Sequence, residues 1–485
     1  MSAESGAIAI VCSSMSAASC LVLLLSSYFS LAATHDPPVS PRFAFTVALP
    51  AAVLSAAEAI AAATRGAPVV GAVLARVLAP LTVAVVCTRR WLPWRAAAPD
   101  VRVAAAKEAA VLSRALAGTG VVFSTATVQG VHTVAFFNGD AAPPAGVPLS
   151  EHDALVPPLV LLPGYGNGSI FWMNNAAELT KGYPGRIFAL DWLGTGCSNR
   201  PDWHARTPRE AEAFFLDALD AWREAMGARQ VVLVGHSLGG ALSVAAWLRA
   251  PQGIAAVIGL SPAGLGGGVF DESEGDVPSN AHVLQGGRAF SNQPKLRACI
   301  EFLWERCAVT PGAILRLCGP FARRFTRAAV RRRAARWALP TTWSEETMDD
   351  IGDYFFHTQC LKGSGEYALS VWFGAGAKPR DPLTARVLAV VSAEHGSGSD
   401  DSSVTTSSLS SSPLGSSLKR IPICFAYGDR DWMRRSGAIK ATAALRQAGF
   451  FSTVETIRNS GHHLYLENPA DVNAFILGVC KKLIK

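Results

Sequence analysis

From residue 121 to the C-terminus, short aliphatic runs alternate with segments that have amphipathic, helix-like spacing. The first two runs alternate apolar and polar residues and predict an antiparallel hairpin, and residues 207–227 predict an amphipathic helix. Strands that alternate with helices are typical of a largely parallel, doubly wound α/β sheet. The predicted strands are 121–123, 131–137, 159–162, 186–190, 231–234, 255–260, 421–427 and 453–457.

This alternation breaks between residues 268 and 390, where helical segments, several Trp and many Arg occur without strands. We interpret this stretch as a helical cap inserted over an active site. Residues 391–418 follow as a Ser-rich stretch with few apolar side chains, which predicts a disordered insertion. The core of the fold is therefore predicted in two parts, 115–267 and 419–485.

The N-terminal region, 1–95, is the most apolar part of the chain. Residues 5–34 contain no charged side chain, and this run of residues is long enough to span a bilayer. No Lys or Arg precedes this run, so the positive start of a signal peptide is missing. We predict that residues 1–95 anchor the chain in a membrane by one to three helices. Arginines cluster on the cytosolic side of a membrane, so those at 89–102 favour a cytosolic location for the catalytic domain. The alternative is a small domain of buried helices.

One short turn carries the strongest chemical signal. Gly235-His236-Ser237-Leu238-Gly239 follows a buried strand and begins an alanine-rich helix. A Gly-x-Ser-x-Gly sequence at a strand-to-helix turn is typical of a nucleophile elbow. There the serine backbone is strained, and the flanking Gly235 and Gly239 leave room for the sharp turn. The sequence predicts Ser237 as a nucleophile.

A glycine-rich loop at 163–168 follows the predicted strand 159–162. In this arrangement one oxyanion-hole N–H comes from such a loop and the other from the residue after the nucleophile. The predicted oxyanion donors are the backbone amides of Tyr165 and Leu238.

The acid and the base of a catalytic triad are predicted after the last two strands. Gly-x-x-Asp after strand 421–427 favours Asp431 over Asp429, and Gly-His after strand 453–457 favours His462 over His463. With Ser237 these residues occur in the order Ser, Asp, His, which is the order of α/β-hydrolases.

Charge and cysteine content narrow the range of partners. Only 17% of the 485 residues are charged, compared with roughly 25% in an average soluble domain. The net charge of +7 suits contact with anionic lipid, and no nucleic-acid motif accompanies it. The ten cysteines are scattered without metal-type spacing, so we expect reduced thiols, no metal and no cofactor.

A second positive feature lies within the predicted cap. Seven arginines occur between 321 and 337 beside an apolar strip, among them Arg323, Arg324, Arg327 and Arg331. They indicate either a solvated helix face or a surface that contacts phospholipid head groups.

With these residues in place, the chain resembles the α/β-hydrolase-domain 4/5 subfamily of lipid enzymes from residue 121 onward. The similarity includes Asp191-Trp192-Leu193-Gly194-Thr195-Gly196-Cys197-Ser198-Asn199-Arg200-Pro201, the cap segment 363–366 and the acid loop 427–433. Members of this group often contain the sequence His-x4-Asp near the C-terminus, a pattern linked with acyl transfer to lysophosphatidic acid. Here Glu467 occupies that position.

The resemblance implies a membrane-associated serine hydrolase that cleaves acyl esters of phospholipids, lysophospholipids or N-acylphospholipids. The alternatives are a lysophosphatidic acid acyltransferase that uses the same site and a non-catalytic lipase co-activator at lipid surfaces. We expect the endoplasmic reticulum or lipid droplets as the location, and the sequence assigns no protein partner.

Overall fold

The structure is a computed structural model that describes residues 98–267, 304, 310–337, 343–396 and 421–483. The predicted membrane-anchoring region 1–95 lies outside the described residues. Within the described residues, no helix is both long enough and apolar enough to cross a membrane. Pro99–Arg316 and Phe321–Lys485 belong to one compact unit, and the sheet and site below lie within it.

An eight-stranded sheet forms the centre of this unit, and two further strands form a separate small ribbon. The strands are β1 Val121–Val128, β2 Val131–Asn138, β3 Leu159–Leu162, β4 Ile187–Leu190, β5 Val231–His236, β6 Ile254–Leu260, β7 Phe373–Gly374, β8 Lys378–Pro379, β9 Ile423–Gly428 and β10 Ser452–Ile457, of which β7 and β8 form the ribbon. The order in the large sheet is β1-β2-β4-β3-β5-β6-β9-β10. The β1–β2 and β2–β4 pairs are antiparallel and the other pairs of this sheet are parallel. The predicted N-terminal hairpin and doubly wound sheet are therefore confirmed.

Helices flank the sheet and account for most of the described residues between β6 and β9. They are α1 Val101–Leu116, α2 Ala176–Gly182, α3 Pro208–Ala225, α4 Leu238–Arg249, α5 Pro311–Cys318, α6 Ala322–Trp337, α7 Glu345–Gln359, α8 Ala368–Trp372, α9 Leu383–Gly396, α10 Ser436–Gln447, α11 Leu464–Glu467 and α12 Pro469–Cys480. The start of α3 is fixed by a capping box, in which Thr207 and Glu210 each bond the other's backbone N–H.

Each face of the sheet carries its own hydrophobic core. Successive side chains of a strand point to opposite faces, so Val160 and Leu162 belong to one core and Leu159 and Leu161 to the other. The first core is covered by α3, α4, α9 and α10, and the second by α1, α2, α7 and α12. Helices on both faces bury every central strand, which explains why those strands read as continuous aliphatic runs.

Three features differ from the sequence prediction. The β7–β8 ribbon lies within 268–390, where no strand is predicted. Helix α1 precedes the predicted start of the core at residue 115, and it buries Val111 and Leu112. Helix α9 crosses the predicted boundary at 390/391 and extends six residues into the stretch predicted as disordered. The reason is that Val387 and Val391, one helical turn apart, are both buried. The rest of that stretch, 397–418, lies outside the described residues.

Candidate active site

Ser237 lies at the tip of the turn between β5 and α4. Its backbone has φ +52° and ψ −113°, a region that L residues rarely occupy. A Cβ at Gly239 would lie 2.6 Å from the Leu162 carbonyl oxygen, and one at Gly235 would overlap the Gly239 carbonyl. Both glycines are therefore required for β3, β5 and α4 to approach this closely. The turn has the strained geometry that the sequence predicts for a nucleophile elbow.

The three predicted triad side chains meet at the carboxyl ends of β5, β9 and β10. His462 Nε2 lies 3.1 Å from Ser237 Oγ, and His462 Nδ1 lies 3.2 Å from Asp431 Oδ1. Asp431 is buried, and its Oδ1 also accepts a 2.9 Å hydrogen bond from the Met433 N–H. The arrangement places an imidazole between a hydroxyl and a carboxylate.

The neighbouring candidates occupy different positions. The Asp429 carboxylate accepts hydrogen bonds from the Asn459 and Ser460 N–H groups, at 3.1 and 3.0 Å, so it shapes the loop that leads to His462. The His463 ring packs on the His236 ring, with centroids 5.2 Å apart. Burial, followed by repulsion from His236 and His462, keeps the pKa of His463 well below its usual value.

The glycine-rich loop lies directly against the nucleophile elbow. A Cβ at Gly164 would lie 2.7 Å from His236 Nδ1 and 3.0 Å from Ser237 Cβ. Among the described residues, neither the Tyr165 N–H nor the Leu238 N–H donates a hydrogen bond to a protein oxygen. Leu238 is the first residue of α4, where backbone N–H groups have no partner within the helix.

His236 joins the elbow to the loop of the base. Its Nε2 lies 2.8 Å from the His462 carbonyl oxygen and must donate, because a carbonyl only accepts. Burial, and then repulsion from His462, holds the pKa of His236 well below its usual value, so the ring is neutral. The residue before the nucleophile therefore fixes the backbone of His462.

Sequence reasoning missed Ser261, the residue that follows β6. Its hydroxyl donates a hydrogen bond to Asp431 Oδ2, and its Oγ lies 2.8 Å from His462 Nδ1. A signal existed, since Ser261 ends a parallel strand beside β5, at the sheet edge where ligands bind.

The sequence also gave no indication of a buried polar cluster behind the glycine-rich loop. Ser169 donates from its N–H to Asp191 Oδ1 at 2.7 Å and from its hydroxyl to Glu108 Oε1 at 2.6 Å. His132 Nε2 lies 2.6 Å from the second Glu108 oxygen. Burial disfavours the charged imidazole, but attraction by Glu108 outweighs it and raises the pKa of His132 to about 9. The cluster ties α1 to the end of the loop.

This cluster bears on two possible features, a glycosylation site and a metal site. Asn167, the acceptor of the sequence Asn167-Gly168-Ser169, is 7% exposed and Ser169 is fully buried, so this motif is closed to a glycan in the folded chain. Glu108, His132 and Cys197 place donor atoms within 4.8 Å of one another, as a metal site would require. However, the Glu108 carboxylate is already used by His132 and Ser169.

Helix α7 and the residues after it contact the same loops. The Gln359 side chain donates to the Gly166 carbonyl at 3.1 Å. The Arg200 guanidinium donates to four backbone carbonyls, two in its own loop, one in the last turn of α7 and one just after α7, those of Gly194, Gly196, Thr358 and Lys362.

Three of the four arginines singled out on α6 form ion pairs with α7. Arg323 and Arg327 both bind the buried Asp353 carboxylate, at 2.5 and 2.7 Å. Arg331 lies 2.7 Å from Asp349 and 3.0 Å from Glu345. Arg324 is exposed and forms no ion pair with the described residues. Much of the predicted positive face is thus neutralised within the protein.

This fold is that of an α/β hydrolase. The alpha/beta hydrolase fold family model matches residues 157–469, and the chain belongs to that family. A 1-acylglycerol-3-phosphate O-acyltransferase from Arabidopsis thaliana is 28% identical over 328 residues, covering 68% of this chain and 67% of the relative. A (lyso)-N-acylphosphatidylethanolamine lipase from Mus musculus is 26% identical over 326 residues, which cover 67% of this chain and 80% of the relative.

A third relative, the 1-acylglycerol-3-phosphate O-acyltransferase ABHD5 from Sus scrofa, is 26% identical over 324 residues and covers 67% of this chain and 77% of its own. Together these relatives confirm the resemblance to the α/β-hydrolase-domain 4/5 subfamily. Their names support a lipid-modifying activity of hydrolytic or acyl-transfer type.

Proposed function

We propose that this chain is a serine hydrolase that cleaves acyl esters of phospholipids, lysophospholipids or N-acylphospholipids. One observation carries the proposal: Ser237 Oγ lies on a strained elbow 3.1 Å from His462 Nε2, and the other ring nitrogen faces the buried Asp431. A hydroxyl, an imidazole and a carboxylate in this order are the parts of a nucleophilic acyl-transfer site. The lipid class comes from the names of the relatives.

In the proposed mechanism, His462 takes the proton of Ser237 as its oxygen attacks the ester carbonyl. Asp431 orients His462 and stabilises the imidazolium that forms. The Tyr165 and Leu238 amides stabilise the oxyanion, each with about 3 kcal/mol in comparable sites. His462 then gives its proton to the leaving alcohol, and water activated by the same ring releases the fatty acid. The reaction needs no cofactor.

Acyl transfer is the alternative that the relatives favour. Two of the three relatives above are named acyltransferases, and the two reactions share the acyl-enzyme. They differ only in whether water or a lysophospholipid accepts the acyl chain. A non-catalytic role as a lipase co-activator would leave Ser237 without a function.

A product assay on Ser237→Ala separates these functions. Membranes containing the wild type, Ser237→Ala or the exposed-site control Ser150→Ala are given mixed phospholipids, with and without lysophosphatidic acid and acyl-CoA. Hydrolysis predicts free fatty acid and lysolipid from the wild type and Ser150→Ala only. Acyl gain by lysophosphatidic acid that requires Ser237 would instead identify a transferase. Identical lipid profiles for all three proteins would contradict both and favour a co-activator.

We also propose that the enzyme works at a membrane or lipid-droplet surface, through residues 1–95 and the outer face of α6. Phe321, which directly precedes α6, and Phe325 are 51% and 54% exposed, and Arg324 lies between them in the chain. Exposed aromatic rings next to an arginine that forms no ion pair with any described residue suit an anionic head-group region. Of the four arginines singled out, Arg324 is the one we propose for lipid contact, because Arg323, Arg327 and Arg331 pair with α7.

Vesicle binding tests this surface. Arg324→Glu should weaken binding to vesicles of phosphatidylcholine and phosphatidylserine several-fold, since each basic residue near such a surface contributes about 1 kcal/mol. The control Arg229→Glu makes the same charge change at another exposed arginine. Equal loss in both variants would contradict a specific surface. Fractionation of cells that express the full chain would show whether the endoplasmic reticulum or lipid droplets carry it.

A further inference from the structure

Ser261 lies between the nucleophile and the acid in the sheet. Its N–H donates to the Ala426 carbonyl of β9 at 2.7 Å, and the preceding Leu260 carbonyl accepts the Ser237 N–H at 2.9 Å. The backbone of Ser261 has φ +48°, an unusual value for a residue with a side chain. The neighbouring strands therefore hold Ser261 in a strained conformation in which its side chain reaches the triad.

The hydroxyl of Ser261 contacts both the acid and the base. It donates its one hydrogen to Asp431 Oδ2, so its oxygen is left to accept from His462 Nδ1 at 2.8 Å. This distance is shorter than the 3.2 Å between His462 Nδ1 and Asp431 Oδ1. The Nδ1 hydrogen of His462 therefore faces two acceptors, and one of them is the serine.

We propose that Ser261 is a positioning residue of the catalytic site, whose hydroxyl bridges Asp431 and His462 and fixes the tautomer of His462. A hydrogen on Nδ1 leaves Nε2 free to accept the Ser237 proton. The same bond holds the second Asp431 oxygen, which no other described side chain contacts at hydrogen-bond distance. This inference rests on the proposed function, because it assigns a role within the same serine-centred site.

A purely structural role for Ser261 makes a different prediction. If the residue only completed the turn after β6, glycine would serve as well or better, because glycine adopts a positive φ without strain. If the hydroxyl positions the triad, Ser261→Gly should remain folded and still lose activity. Ser261→Gly and Ser261→Ala therefore separate the hydroxyl from the backbone.

The first experiment measures steady-state hydrolysis of p-nitrophenyl butyrate and labelling by a fluorophosphonate probe in the full chain. Both variants should show kcat reduced about 10- to 100-fold, as for the loss of one hydrogen bond to a charged group. KM should stay within twofold of the wild type, the labelling rate should fall in parallel with kcat, and the melting temperature of Ser261→Gly should not drop. Wild-type kcat in Ser261→Gly would overturn the proposal, as would a loss confined to KM.

Labelling also distinguishes a failure of the role given to Ser261 from a failure of the proposed function. If the wild type is labelled at Ser237 and Ser261→Gly is labelled at the same rate, Ser261 has no positioning role and the proposed function stands. If the folded wild type is not labelled at all, the proposed function fails and the role of Ser261 fails with it.

An exchange of side chains gives a second test. Asp431→Ser removes the carboxylate and should lower kcat by about 10⁴-fold, as for loss of a triad acid. Adding Ser261→Asp places a carboxylate where the hydroxyl now reaches His462, and aspartate tolerates a positive φ better than most residues. The double variant should recover at least tenfold over Asp431→Ser. A folded double variant that is no more active than Asp431→Ser would overturn the proposal.

Discussion

The Glu467 carboxylate accepts a hydrogen bond from the Gly461 N–H at 2.9 Å, directly before His462 in the chain. Burial raises the pKa of Glu467, while the hydrogen bond from Gly461 opposes that change. Glu467 is therefore bound to the backbone of the loop that carries the base. Position 467 is where this chain departs from the His-x4-Asp pattern. We therefore expect a change of this residue to affect the reaction by moving His462.

Shortening this side chain should slow the reaction without changing its products. Aspartate at position 467 is one methylene too short to reach Gly461, and one hydrogen bond of about 1 kcal/mol is lost. We expect Glu467→Asp to lower kcat about fivefold and to leave the ratio of free fatty acid to acylated lysophosphatidic acid unchanged. Glu467→Gln keeps both the length and an acceptor oxygen and should have a smaller effect. A shift towards acyl transfer in Glu467→Asp alone would contradict this account.

The two aspartates after β9 should respond differently to the same substitution. Asp431→Asn should lower kcat by about 10⁴-fold, because the amide favours the wrong tautomer of His462. Asp429→Asn weakens the bonds to Asn459 and Ser460, so it should reduce the free energy of unfolding by about 1–3 kcal/mol and kcat by less than tenfold. Urea unfolding and steady-state kinetics on both variants check this. Equal losses of kcat would contradict the assignment of the acid.

A methyl group at Gly164 should disturb the oxyanion donors. Its Cβ would lie 2.7 Å from His236 Nδ1 and 3.0 Å from Ser237 Cβ, so the glycine-rich loop must move away from the elbow. We expect Gly164→Ala to lower kcat about 10²- to 10³-fold, the loss seen when one oxyanion donor is removed.

The control for Gly164→Ala is Gly478→Ala in α12, where an added Cβ has no heavy atom within 4 Å. Alanine in that helix should leave kcat unchanged and raise the free energy of unfolding by about 0.5–1 kcal/mol. Near-normal kcat in Gly164→Ala would show that the loop is not part of the reacting site.

The sheet and the meeting of Ser237, Asp431 and His462 could be anticipated because their signals are local. Each of these residues follows a predicted strand, and parallel strands bring their carboxyl ends to one edge of the sheet. Similarly, Gly235 has to be small because an added Cβ would overlap the Gly239 carbonyl within the same turn. These features need no knowledge of distant contacts.

The residues that were missed act through contacts between remote parts of the chain. Glu108 lies on α1 and meets Ser169 and His132 only because α1 packs beneath the sheet. Its helix carries no motif that marks one acidic residue as buried. Likewise, the arginines of α6 look like a charged surface until Asp353 on α7 is placed beside them.

The buried pair of Glu108 and His132 predicts a pH dependence of stability. The pKa of His132 is raised from 6.5 to about 9, with Asp191 as a second negative neighbour. A group whose pKa is higher in the folded state stabilises the fold fully below its unfolded pKa and loses that contribution as the pH rises through the folded pKa. This contribution should therefore be complete at pH 6 and disappear between about pH 6.5 and 9. The shift corresponds to at most about 3 kcal/mol.

Urea unfolding of the wild type at pH 6 to 9.5 should show this decline, and the double variant Glu108→Gln/His132→Gln provides the comparison. The variant replaces both charges by amides of similar size, so it lacks the titration while other groups titrate as before. Its free energy of unfolding should be lower at pH 6 and should change less with pH than that of the wild type. Parallel stability curves for the two proteins would mean that His132 is not charged beside Glu108 in the folded chain.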